Sequence, residues 1–216
     1  MKKGAIFDMD GLLFDSEKMY QNSWLDTAKY FGKDNGEELT KMVSGSSEAN
    51  CRKIIKEFYP EVDVDKFFNR VVDNAVKVFE NGVDMMPGVV EILTYLKENG
   101  VKIAVASSSS REVIIKNIEH ANIKKYFDVF ISGDEVEHGK PDPDIFIAAA
   151  EKINLSASDC YVFEDSYNGL RGAYKAGCTP IMIPDTMQPN DEMKKICAGI
   201  YPSLIDAMNA IKNSLI

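Results

Sequence analysis

An α/β fold with a parallel, doubly wound sheet and an early all-helical insertion is the architecture this sequence predicts. Three observations predict it. From residue 89 onward, short apolar runs alternate with helical patterns, the rhythm of βαβ units. Residues 16–84 instead carry helical periodicity with no convincing strand. The apolar run ahead of that block, Ala5-Ile6-Phe7, stops abruptly at Asp8-Met9-Asp10-Gly11. A strand that is apolar on both faces is a buried parallel strand, and ligands in open α/β sheets collect at the carboxyl ends of such strands.

Each element follows in turn. Ser16 is placed to cap a helix whose first turn carries Glu17, and Gly32 closes that helix. A short second helix ends at Ser44-Gly45-Ser46-Ser47, a third over residues 49–58 stops at Pro60, and a fourth over residues 64–79 stops at Asn81-Gly82. Met85-Met86-Pro87-Gly88 marks the return to mixed structure. Helices are expected over residues 89–98, 111–121, 144–153 and 168–176, and strands over residues 101–106, 129–131, 161–163 and 180–183. The remainder to Ile216 reads as mostly helical. The domain reading is a core of residues 1–15 and 86–216, with residues 16–85 as the insert.

Composition narrows the function classes. The chain has 216 residues, enough for one sizeable core with a smaller insert. A net charge of −9 argues against nucleic-acid binding or a basic membrane patch. No apolar stretch reaches the ~18 residues of a membrane span, and Asp8 and Asp10 interrupt the start too soon for a signal peptide. Cys51, Cys160, Cys178 and Cys197 lack metal or redox spacing. A cytoplasmic monomer acting on a small molecule, with neither nucleic acid nor membrane as partner, is the expectation.

Polar strand ends then share one edge, and Asp8, Ser107, Lys140 and Asp165 converge there from four separate segments, Lys140 from the rigid loop Gly139-Lys140-Pro141-Asp142-Pro143. A carboxylate at Asp8 can attack phosphorus as a nucleophile, provided positive charge lets it approach an anion. Mg²⁺ suits that task, held by Asp8 and Asp165 with the backbone carbonyl of Asp10, while Glu164 orients a water. Asp10 would serve as general acid and base. The hydroxyl of Ser107 and the N–H of Ser108 suit phosphate binding, and Lys140, between Gly139 and Pro141, is a compact cation for the same site. Taken singly, each has a plain alternative: a solvated acidic turn, a serine-rich helix cap, a surface lysine, and an acidic helix start at Glu164-Asp165-Ser166. His120 and His138 read as ordinary solvated residues.

Together, Asp8-Met9-Asp10-Gly11, Ser107, Lys140 and Glu164-Asp165 resemble the four ordered motifs of the haloacid dehalogenase-like superfamily. The resemblance implies a Rossmann-like core and an α-helical cap on linkers near Asp15 and Met85-Met86. Asp10 favours phosphoryl chemistry, since the dehalogenases and phosphonoacetaldehyde hydrolases of the family lack the second aspartate. The run from Phe7 to Glu17 is similar to phosphatases of hexose or nucleoside monophosphates, and Glu17, Tyr20, Trp24, Gly45 and Ser46 are the cap candidates for reading the leaving group. A β-phosphoglucomutase-like activity is the alternative. Tyr20 stands where the mutase has a histidine, and Gly45-Ser46-Ser47-Glu48 lacks its arginine, with Arg52 further on. A non-catalytic binding protein would have no need of both aspartates.

Overall fold

The structure is a computed structural model that describes residues 1–43 and 48–216. The chain divides into two compact units, Met1–Asp15 with Asp84–Ile216, and Ser16–Val83. The second boundary therefore falls two residues earlier than the sequence reading placed it.

The first unit is built on a six-stranded sheet. Its strands are β1 (Gly4–Phe7), β2 (Lys102–Ser107), β3 (Val129–Ser132), β4 (Cys160–Glu164), β5 (Thr179–Met182) and β6 (Gly199–Ile200). They lie in the order β3-β2-β1-β4-β5-β6, and every pairing is parallel. The chain thus builds outward from β1 to β3, then returns to the other side of β1 with β4. Such a reversal of direction opens a crevice at the carboxyl ends of the two central strands. Every residue of β1 is buried, as expected for a strand covered on both faces.

The register explains the burial. Phe7 pairs with Phe163, and their rings stack with centroids 4.6 Å apart. On the opposite face, Ile6, Ala104, Ile131 and Val162 pack with Ile145, Phe146, Ala149 and Ala150. Those four belong to helix α7 (Asp144–Lys152), where their spacing forms one apolar stripe. Helices α5 (Val89–Glu98), α6 (Arg111–His120) and α8 (Tyr167–Lys175) complete the crossovers between successive strands.

The C-terminal stretch departs from the mostly helical expectation. It contains only the four-residue α9 (Met193–Ile196), the edge strand β6 and α10 (Leu204–Lys212). A two-residue strand leaves no periodicity to read, and β6 exists only because Ile181 and Met182 offer it a pairing edge.

The second unit holds α1 (Ser16–Tyr30), α2 (Gly36–Val43), α3 (Glu48–Phe58) and α4 (Val64–Asn81). Its core gathers on Phe67, fully buried and within 6.2 Å, 5.1 Å and 5.8 Å of the rings of Trp24, Phe31 and Tyr59. Removing a ring that three other aromatic rings pack against leaves a cavity. Phe67→Ala should cost about 3–5 kcal/mol, read as a lowered urea midpoint for the helical signal.

Candidate active site

The first acidic motif sits on a tight turn. The N–H groups of Leu13 and Phe14 both donate to the carbonyl of Met9, and Gly11 N–H donates to Phe14. Met9, Leu12, Leu13 and Phe14 are buried, so four apolar anchors fix the turn that presents Asp8 and Asp10. Gly11 has φ +77, and a Cβ there would come within 2.7 Å of Asp165 Oδ2. Only glycine meets both conditions. Where the chain leaves and re-enters this unit its two passages are hydrogen-bonded, Asp15 N–H to Asp84 and Met86 N–H to Leu13.

Lys140 lies in the loop between β3 and α7, and its ammonium is drawn inward. Nζ donates to Asp8 Oδ1 at 2.5 Å and to Glu164 Oε1 at 2.7 Å, with the Phe146 ring 5.2 Å away. Glu164, the last residue of β4, is fully buried. Its other oxygen, Oε2, accepts from the N–H and the hydroxyl of Ser166, both at 2.8 Å. Both oxygens are therefore engaged, and the first duty of Glu164 is to aim Lys140. A Cβ on Gly169 would stand 1.6 Å from Glu164 Oε1, so α8 approaches this pair through a bare backbone.

Asp8, Glu164 and Asp165 each offer a carboxylate oxygen, all within 4.8 Å of one another. Burial, opposed by Lys140 and reinforced by Glu164 and Asp10, pushes the Asp8 carboxyl up to about 8. Burial, with Glu164 and Asp8 beside it, pushes Asp165 up to about 9. Burial works against the charge on Lys140, yet Asp8 and Glu164 outweigh it and hold the ammonium above the usual lysine range. Three buried carboxyls thus face one ammonium. An all-oxygen donor set short of positive charge fits a hard divalent cation such as Mg²⁺.

Asp10 is set apart from that cluster. Its Oδ2 accepts from the hydroxyls of Ser107 at 3.3 Å and Ser109 at 2.8 Å. Ser107 ends β2 and is fully buried, while Ser108 is exposed. The structure thus brings Asp8, Asp10, Ser107, Lys140, Glu164 and Asp165 to one end of the sheet. Sequence reasoning assigned nothing to Ser109 or Ser166. Their signals were present, a hydroxyl two residues beyond Ser107 and another two beyond Glu164.

The residues of the second unit fare differently. The Trp24 ring is buried against Phe67 and Phe68, both at 6.2 Å, which fits the packing of this unit on itself, the reading that stood beside substrate contact for this residue. Tyr20 is exposed. Gly45, Ser46 and the side chain of Glu17 lie outside the described residues. Arg52 donates to Asp65 Oδ1 at 2.7 Å and covers the Phe68 ring at 4.3 Å.

A parallel sheet whose carboxyl edge carries a buried lysine bonded to Asp8 and Glu164 defines a Rossmann-like core. Residues 5–183 match the haloacid dehalogenase-like hydrolase family, and the chain belongs to it. It is 34% identical over 176 residues to the phosphorylated carbohydrates phosphatase of Thermotoga maritima, which spans 81% of this chain and 82% of that one. A Drosophila melanogaster protein named probable pseudouridine-5'-phosphatase is 32% identical over 188 residues, 84% of this chain and 81% of its own. Among solved structures, a Thermotoga maritima protein provisionally named a β-phosphoglucomutase superposes with a TM-score of 0.85 at 28% identity, covering 98% and 99% of the two chains. No helix of the described residues is long and apolar enough to cross a membrane.

Two outcomes follow from this geometry. Gly169→Ala should displace Glu164 and Lys140 together, lowering the melting temperature and turnover in one step. Asp8 and Asp165 have folded pKa values raised from 3.8 to about 8 and about 9. Without metal, their contribution to stability is complete below about pH 4 and is lost as pH rises through those values. The rise in Tm on adding Mg²⁺ should therefore be larger near pH 9 than near about pH 6, where protons compete for the same oxygens.

Proposed function

We propose that the protein is a Mg²⁺-dependent phosphatase of small phosphomonoesters, sugar or nucleoside monophosphates, working through an aspartyl-phosphate on Asp8. The observation that carries this reading is the division of labour within one turn. Asp8 is buried against Lys140, while Asp10, two residues on, is held by serine hydroxyls away from the carboxylate cluster. Two carboxyls in such different surroundings suit a nucleophile and an acid–base group.

In the first step a carboxylate oxygen of Asp8 attacks phosphorus, and the bond from phosphorus to the ester oxygen breaks. That oxygen takes a proton from Asp10 as it leaves. In the second step water attacks the phosphorus of phospho-Asp8 and gives its proton to Asp10. Inorganic phosphate departs, and both carboxyls return to their starting states. Ser107 and Lys140 hold the phosphoryl oxygens, with the N–H of Ser108 beside them. Asp8 and Asp165, with the Asp10 carbonyl, are the residues that would hold Mg²⁺. When bound, the ion supplies the positive charge that lets one anion approach another. The named activities of the two phosphatase relatives support the substrate class.

A phosphosugar mutase is the second reading, favoured by the superposition on the provisionally named mutase. Against it, Arg52, the residue best placed in sequence to hold a second phosphate, already serves Asp65 and Phe68. Purified protein should release free phosphate from a panel of hexose, pentose and nucleoside monophosphates with Mg²⁺, and stop on addition of EDTA. Conversion of β-glucose 1-phosphate to glucose 6-phosphate with little free phosphate would establish the mutase instead. Asp8→Asn should stay folded by circular dichroism and lose turnover; a variant that still turns over removes the phospho-Asp8 mechanism.

A further inference from the structure

Ser109 stands outside the roles assigned above, yet it makes the shorter of the two side-chain hydrogen bonds from the serine loop to Asp10. Its hydroxyl donates to Asp10 Oδ2 at 2.8 Å, against 3.3 Å for Ser107, across a sequence separation of 99 residues. Its N–H donates to Ser107 Oγ at 3.0 Å. Helix α6 begins at Arg111 with Ser110 as its cap residue, so the Ser109 hydroxyl is not spent on capping. A residue that touches both the candidate phosphate binder and the candidate acid–base group links the two.

A serine hydroxyl has a single proton to donate. In the phosphatase reading, the Ser107 proton goes to a phosphoryl oxygen once substrate is bound, and Asp10 loses that bond. The Ser109 proton remains on Asp10 Oδ2. We propose that Ser109 is the positioning residue of Asp10, holding its carboxyl by one oxygen through the proton transfers on the leaving group. This role rests on the phosphatase reading of the same site.

The loop that carries Ser109 is braced from behind. Arg111 Nη1 donates to the Phe130 carbonyl at 3.0 Å and to Glu135 Oε1 at 2.8 Å. The same Glu135 oxygen accepts from the N–H and hydroxyl of Ser132, both at 3.2 Å, and Ser132 pairs with Ser107 in the sheet. Gly133 then lies so close that a Cβ would meet the Ser108 carbonyl at 2.8 Å. The turn after β3 therefore fixes the height of the serine loop, and with it the point from which Ser109 reaches Asp10.

A positioning role for the general acid has a signature that a structural role lacks. An alkyl phosphate such as glucose 6-phosphate has a poor leaving group that needs a proton, whereas 4-nitrophenyl phosphate releases a stable phenolate. For both esters, kcat/KM reports steps up to transfer onto Asp8. The experiment compares wild type, Ser109→Ala, Ser109→Cys and Ser109→Thr on the two esters with Mg²⁺, each variant first checked by thermal melting. The expected result is a fall of about tenfold or more on the alkyl ester for Ser109→Ala, with 4-nitrophenyl phosphate changed by less than about threefold. Ser109→Cys, close in size with a weak donor, should show the same selective loss, and Ser109→Thr should restore the rate. Equal losses on both esters, or a gain on the alkyl ester, overturn the role of Ser109 while the phosphatase reading stands. A wild-type protein that releases phosphate from neither ester overturns both.

Discussion

Burying an ammonium is costly unless carboxylates surround it, and burying carboxylates is costly unless a cation answers them. Lys140 and its partners solve both problems with one cluster. The side chain of Lys140 is only 6% exposed, and its two acceptors are 9% and 0% exposed. The geometry of the site follows from that demand. Asp8 must directly follow β1, Glu164 must end the neighbouring β4, and the loop after β3 must turn back over them. Ser166 completes the arrangement by occupying the second oxygen of Glu164, so the carboxylate cannot swing away from the lysine. The cluster keeps more acid than base, and that surplus is what suits it to a divalent cation.

The core was largely legible in the sequence because its signals are physical necessities. Apolar runs such as Ile103 to Ala106 and Tyr161 to Phe163 can be buried on two faces only in a covered sheet. Each ends in a polar residue because the sheet edge is where polar chemistry is tolerated. What escaped was carried by single hydroxyls and by short pairings. Ser109 and Ser166 look like any loop serine until the residues they touch, distant in one case, are known. Strand β6 has no pattern of its own and borrows its conformation from β5.

The second unit was less legible at the level of function than of fold. Its helices announce themselves through periodicity, but a sequence does not say which aromatic residue lies inward. Trp24 shares a helix face with Tyr20, four residues away, yet one is 7% exposed and the other 43%. The larger ring fell to the core because Phe67 and Phe68 are spaced to meet it. Arg52 illustrates the same point for charge, since its guanidinium is engaged by an aspartate and a ring within its own unit.

The span between Asp8 and Lys140 is 132 residues of chain. On the ribosome, Asp8 is therefore made long before the cation that accompanies it, and Glu164 and Asp165 emerge later still. A partial chain carries the acidic turn without its counter-charge, and no fragment short of β4 holds the complete cluster. The buried charges meet only when β4 has paired with β1, so a nascent or half-folded molecule lacks the assembled cluster.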